Sequence, residues 1–409
     1  MLALTNAKIM TVACGTLERG IILIDAGRIV AVGEALEIPE DARRMDVTGK
    51  VITPGLIDAH THVGLSGDSV GREHSDSNET SDPITPHMRA LDAVDPLSPE
   101  FQDLLEAGIT TVLTGPGSAN LIGGQWVCLK TAPQANLAEM VLLEPAGMKM
   151  ALGENPKHAY GNHKKAPASR MGNAALLRSA LVEAQNYMAT WDRYEHESIA
   201  YRAKTAWGTE ASEPTPPARD IKLEALVSVL RREMKCRIHA HQTNDILTAI
   251  RIAEEFNLDI TIEHATEGYL VADLLAAKGI PVTVGPIFTG RYKHELRSKH
   301  HKNPGILCRA GVKVALQVDG ASSTQYLAFS AALAVRGGMP EDEALKAITL
   351  NAAEIIGVAD RVGSLEPGKD ADLVVFSGHP FDYRTQVELV FVNGAMVYAA
   401  GGEGVSSCR

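Results

Sequence analysis

The pair His60 and His62 closes a mostly apolar run, Val51-Ile52-Thr53-Pro54-Gly55-Leu56-Ile57-Asp58-Ala59. A strand sends alternate side chains to one face, so Leu56, Asp58, His60 and His62 point the same way and the two imidazoles converge. Two such rings at a strand end can grip one divalent cation. Without a cation they cost desolvation and gain little packing. Further apolar runs end in the same manner. His239 follows Arg237-Ile238, His264 follows Ile260-Thr261-Ile262-Glu263, and Asp319 follows Val312 to Val318. Early, middle and late strands must therefore bring their ends together, which a closed barrel achieves better than an open sheet.

The middle of the chain alternates strand and helix patterns. Strands are expected at Thr110–Thr114, Gly147–Leu152, Arg237–His239, Ile260–Glu263, Pro281–Val284 and Val312–Val318. Helices are expected at Phe101–Ala107, Ile246–Phe256, Leu270–Lys278 and Ser322–Arg336, with a long one over Gly172–Trp207. This is the rhythm of βα units. The fold class predicted is α/β, a (β/α)8 TIM-like barrel over residues 54–362. A doubly wound sheet is the runner-up. Both chain ends read as short strands, and Asn393-Gly394 between apolar runs is a hairpin signal. A small β-sandwich domain formed from both termini, 1–53 plus 363–400, follows, with a flexible tail over 401–409.

Composition narrows the partners. The net charge of −11 comes with no basic stripe, which argues against nucleic acid and anionic membrane surfaces. No run approaches ~18 apolar residues, and the N-terminus does not read as a signal peptide. Five scattered cysteines without a Cys-x-x-Cys fit free thiols in a reducing cytoplasm.

His239 reads as a ligand, and His241, two residues on, as a ligand, a substrate contact or a polar core residue. His264 shares a face with Ile262, while Glu263 points away. Asp58 reads as an orienter of a histidine. Thr243 or Asn244 is the expected cap of the following helix. Asp319, at the end of so apolar a run, needs a counter-charge; a metal supplies one, and the same carboxylate can take a proton from water.

With these residues in view, the chain resembles the amidohydrolase superfamily, in its imidazolonepropionase-like and prolidase-like branch. The resemblance rests on Pro54-Gly55-Leu56-Ile57-Asp58-Ala59-His60-Thr61-His62, Ile238-His239-Ala240-His241, Ile262-Glu263-His264, Val318-Asp319, Asn351-Ala352-Ala353-Glu354 and the run Gly363 to Val375. It implies a distorted barrel with a β-sandwich, and one or two divalent metals. Zinc is expected first, with iron, manganese or nickel as alternatives. His60, His62, His239, His264 and Asp319 take ligand roles by resemblance. Asp319 is also the implied base that later protonates the leaving nitrogen. Binuclear relatives bridge their metals with a carboxylated lysine or a glutamate on a middle strand. Glu154 is favoured here, Lys149 is the alternative and Lys130 a third option. If none ligates, the site is mononuclear.

The expected function is hydrolysis of a carbon–nitrogen bond, an amide or cyclic amide, in a small molecule. Asp319, His264 and His241 form the catalytic set, and His241 and Arg291 contact substrate. Alternatives are hydrolytic deamination of a heterocycle, hydrolysis of N-acyl amino acids or dipeptides, and a non-catalytic scaffold. A homo-oligomer is expected. The polar loop from Ser66 to Pro99 is a candidate cover, and Gly115-Pro116-Gly117 and Gly123-Gly124 read as turns.

Overall fold

The computed structural model describes residues 1–67 and 75–401. Arg72, Glu73 and His74 of the candidate cover, and the tail beyond Gly401, lie outside the described residues. The chain opens with β1 (Leu2–Met10), β2 (Thr16–Asp25), β3 (Arg28–Gly33), β4 (Arg43–Asp46) and β5 (Val51–Pro54). It then builds β6 (Leu56–Thr61), β7 (Ile109–Thr114), β8 (Ile122–Lys130), β9 (Val141–Ala151), β10 (Cys236–Ala240), β11 (Ile260–His264), β12 (Val282–Val284) and β13 (Val314–Leu316). It ends with β14 (Leu373–Phe376), β15 (Val387–Val392) and β16 (Ala395–Ala399).

The terminal strands form one connected sheet in the order β16-β15-β14-β5-β1-β2-β3, with β4 beside β1. Strand β14 pairs antiparallel with β5, Leu373 opposite Pro54 and Phe376 opposite Val51. Its two faces serve two cores. Leu373 and Val375 pack with Leu4, Ile9, Ile22 and Ile52, while Val374 and Phe376 join the barrel's core. Burial on both faces explains why this strand is continuously apolar rather than alternating. The Asn393-Gly394 hairpin forms as the sequence indicates, with φ of 49° and 73° at the two turn residues.

The second sheet runs β6 to β13 in sequence order and nearly closes into a barrel. Its pairs are parallel except around β8, which runs antiparallel to β7 and β9. The βα rhythm missed this strand, and the expected turn at Gly123-Gly124 lies inside it. Those glycines permit close approach instead. A Cβ on Gly124, at φ +127°, would stand 2.5 Å from the Met88 carbonyl oxygen. The seam between β13 and β6 is bridged by Asp58. Its carboxylate accepts the backbone N–H of Val318 at 3.1 Å and of His60 at 3.0 Å.

Helices Glu100–Glu106, Thr243–Phe256, Ala272–Ala277 and Leu327–Arg336 pack outside the barrel near their expected places. A 3-10 turn over Ser322–Tyr326 precedes the last of these. The helix after β10 starts at Thr243, three residues before the expected Ile246, so neither Thr243 nor Asn244 is its cap. Gln242 is its N-cap without a side-chain bond, and the Glu267 carboxylate accepts the Thr243 N–H at 2.9 Å. The long helix Arg170–Ala206 is capped by the Ser169 side chain and buries Leu177, Ala180, Leu181 and Ala184, all in its first half.

Candidate metal centre

The C-terminal ends of β6, β10 and β11 and the chain just past β13 deliver two adjoining clusters. His60, His62 and Asp319 form one, and His239, His241 and His264 the other; within each, the potential ligand atoms lie within 4.8 Å of one another. The rings of His60 and His264 join the clusters, with centroids 4.9 Å apart. Residues from four distant stretches thus converge at one mouth.

Backbone geometry aims two of these side chains. In the parallel ladder His239 is in register with Glu263, and Ala240 with His264. Residues in register share a face, so a regular β11 would turn Glu263 inward and His264 outward. His264 adopts φ +70° and Asp319 φ +72°, left-handed values that cost non-glycine residues roughly 1–3 kcal/mol each. The His264 ring thereby meets His239 and His241 at centroid distances of 4.4 and 4.5 Å. Glu263, expected to point away, lies fully buried beneath His60 and contacts its Nδ1 at 2.8 Å. Arg237, also buried, approaches the other Glu263 oxygen at 3.6 Å.

The ring nitrogens away from the centre are held by neighbours. His62 Nδ1 donates to the Gly115 carbonyl at 2.7 Å and His264 Nδ1 to the Gly285 carbonyl at 2.8 Å. His241 Nδ1 contacts the Thr266 hydroxyl at 2.7 Å. Both nitrogens of His239 and Nε2 of His264 are buried without a hydrogen-bond partner. Burial drives the basicity of His239 and His241 well below normal and that of His264 down to about 3. These rings are therefore neutral imidazoles, the form that ligates metals, and their orphaned nitrogens fit a divalent cation. Burial alone would raise the Asp319 carboxyl. The imidazoles of His264, His60 and His62 outweigh it and hold the group well below the carboxylate range. Asp319 Oδ1 stands 3.3 Å from His60 Nε2 and 3.5 Å from His62 Nε2.

Of the middle-strand candidates, Lys149 reaches the centre. Its Nζ lies 3.3 Å from His60 Nε2 and 4.8 Å from the Trp126 ring centroid, and burial lowers its pKa to about 8. Glu154 belongs to neither cluster; it opens the helix Glu154–Gly161, where its N–H donates to the Glu295 carboxylate. Lys130 lies at the terminal sheet, bound to Asp370 and Asp372. Arg291 is exposed and donates to the Lys299 carbonyl at 2.9 Å.

A polar chain that sequence reasoning missed crosses the mouth. Asn155 donates to Ser118 Oγ at 2.7 Å and accepts from Lys293 Nζ at 3.1 Å. Lys293 pairs with Glu295 at 3.5 Å, and Arg170 joins Glu295 to Asp245 and Gln242. Lys293 lies two residues beyond Arg291 in the same loop. Arg237 carried a sequence signal too, a charge inside an apolar strand.

The model of the Amidohydrolase family matches residues 51–399. The amidohydrolase tasK of Hapsidospora irregularis is 31% identical over 92% of this chain, which spans 39% of that protein's length. The imidazolonepropionase of Paracoccus denitrificans (strain Pd 1222) is 25% identical, with 92% of this chain and 91% of that protein aligned. The crystal structure of an amidohydrolase from Thermotoga maritima MSB8 is 40% identical with a TM-score of 0.87, covering 98% of this chain and 100% of that one. A prolidase complexed with N-methylphosphonate-L-proline shares the fold, at 20% identity and TM-score 0.60 over 97% and 99% of the two chains. The distorted barrel, the paired histidine clusters and the family match over most of its length agree: the chain belongs to the amidohydrolase family, hydrolases that act on carbon–nitrogen bonds.

Proposed function

We propose that this chain opens an amide or cyclic amide bond of a small molecule, with zinc as its metal. The observation that carries this reading is the two clusters meeting through His60 and His264, with Asp319 among the rings. His60, His62, His239, His264 and Asp319 would hold one or two ions. Neutral imidazoles with one carboxylate suit zinc, and iron, manganese or nickel less closely. Lys149 takes the middle-strand role in preference to Glu154, because its Nζ faces His60 Nε2. When bound, a divalent cation polarises a carbonyl and brings the pKa of water from 15.7 to about 7.

The residues of the chain do the rest. Asp319 accepts the proton of the attacking water at a carboxylate oxygen and returns it to the leaving nitrogen. His241 accepts from the Thr266 hydroxyl at Nδ1, which leaves Nε2–H to donate to the developing oxyanion. His264, locked by the Gly285 carbonyl, keeps Nε2 in the centre.

A second reading, an N-acyl amino acid or dipeptide substrate, is favoured by Lys293. Its ammonium stands near enough to depress the basicity of His239 and His241, so it can meet a substrate carboxylate. It replaces Arg291 in that role. The described cysteines Cys14, Cys128, Cys236 and Cys308 are free, which supports a reducing cytoplasmic setting, and no helix is long and apolar enough to cross a membrane. We also take the chain to be a homo-oligomer, supported by exposed apolar residues on its long helix.

The test is a hydrolysis screen over cyclic amides, N-acyl amino acids and proline dipeptides, with metal analysis of the same preparation. Metal-dependent turnover of one class, with near-stoichiometric metal, is the expected result. Ammonia released from a heterocycle would move the reading to deamination. Full metal occupancy with no hydrolysis of any class would overturn it.

A further inference from the structure

The second half of the long helix has no counterpart in the barrel. The element Arg170–Ala206 runs 37 residues, roughly 55 Å at the standard helical rise, and its buried residues end at Ala184. One face of the remainder is used within the chain. Tyr187, Trp191 and Tyr194 stack edge to face and Tyr187 bonds Glu224, while Asp192, one heptad before Ile199, pairs with Arg231. From His196 onward the face opposite the aromatic residues is bare. His196, Ile199, Ala200, Ala203 and Trp207 recur at helical spacing, all exposed, with Ile199 61% and Trp207 87% accessible. Isolated helical turns without packing are marginal in water, so this half gains from cover.

Charge indicates what covers it. Acidic Glu195 and Glu197 flank the stripe near its start, and basic Arg202 and Lys204 flank it near its end. None of the four forms an ion pair among the described residues. On a helical wheel Glu195 and Arg202 lie on one flank, Glu197 and Lys204 on the other. An identical helix laid antiparallel, crossing between Ile199 and Ala200, sets each acid beside a base on the same flank. The pattern is its own complement, as an isologous contact demands.

We propose that residues 195–207 form an antiparallel helix–helix interface between two copies of this chain. This rests on the homo-oligomer reading given above and names its surface. The test uses the full chain in analytical ultracentrifugation. One variant carries Glu195→Lys with Glu197→Lys, the other Arg202→Glu with Lys204→Glu. Each alone places like charges across the contact and should sediment at half the parent's mass or less. Mixed in equal amounts, the two are complementary and should recover the parent's mass. Circular dichroism confirms that both variants fold. A monomeric parent would remove the oligomer and this surface together. An oligomeric parent whose variants keep its mass, or whose variants fail to reassemble when mixed, would leave the oligomer standing and overturn this interface.

Discussion

Glu263 shows how much one side chain beneath the centre can control. Its carboxylate accepts from His60 Nδ1, which fixes the tautomer and leaves Nε2 facing Asp319 and Lys149. Burial would raise this carboxyl, but His60 and Arg237 outweigh that and keep it ionised. Carboxylates behind ligating histidines typically govern metal affinity by 10–100-fold. Glu263→Gln keeps an acceptor and loses the charge, so it should weaken metal binding by about that factor in a chelator competition. The same change strands the Arg237 guanidinium, and the apoprotein should lose about 3 kcal/mol in denaturant unfolding. Unchanged metal affinity would make Glu263 a structural residue only. Asp319→Asn removes the proton acceptor while keeping the side chain's shape. Turnover should fall by roughly 10²–10⁴-fold or more, measured at full metal occupancy.

At the scale of elements, β8 is the strand that makes the barrel depart from a uniform βα repeat. It fits only because Gly124 brings the backbone against Met88. Gly124→Ala combines a left-handed φ with a 2.5 Å approach to a carbonyl, and should cost about 2–4 kcal/mol in thermal or chemical unfolding. A loss below 0.5 kcal/mol would mean the loop carrying Met88 yields freely. This strand also marks where the sequence stopped being readable. Period and apolar run ends located β10 and β11, because parallel buried strands announce themselves as short apolar runs. A strand entered through two glycines looks like a turn, since the reason for the glycines is a contact with residue 88, far off in sequence. The site shows the same division. His60, His62, His239, His264 and Asp319 were legible as a set because each ends an apolar run, and the structure brings them together. The inward face of Glu263 was not legible, because it follows from the register of β11 on β10, and the turn of His264 into the same centre depends on its positive φ, which no residue type there signals.

For the whole molecule, the question is what binds the terminal sheet to the barrel. Lys130 closes β8 and is almost wholly buried, with Nζ 2.7 Å from Asp370, 3.0 Å from Asp372 and 2.6 Å from Asn393 Oδ1. Asp370 has further partners in Arg28 and Arg361. Asp372 has only the Asn393 N–H besides Lys130 among the described contacts. Lys130→Met should therefore strand Asp372, at about 3–5 kcal/mol near neutral pH. Burial already raises the Asp372 carboxyl above its usual value despite Lys130, and removing the cation raises it further. An acid whose folded pKa exceeds its unfolded pKa destabilises the fold increasingly as pH climbs through that interval. Below the interval it is protonated in both states and contributes nothing. The deficit of Lys130→Met relative to the parent should accordingly be smaller at pH 5 than at pH 8, read from urea midpoints at both values. A deficit equal at the two pH values would mean that Lys130 acts through packing of its aliphatic stem, and that Asp372 does not carry the charge that joins the two sheets.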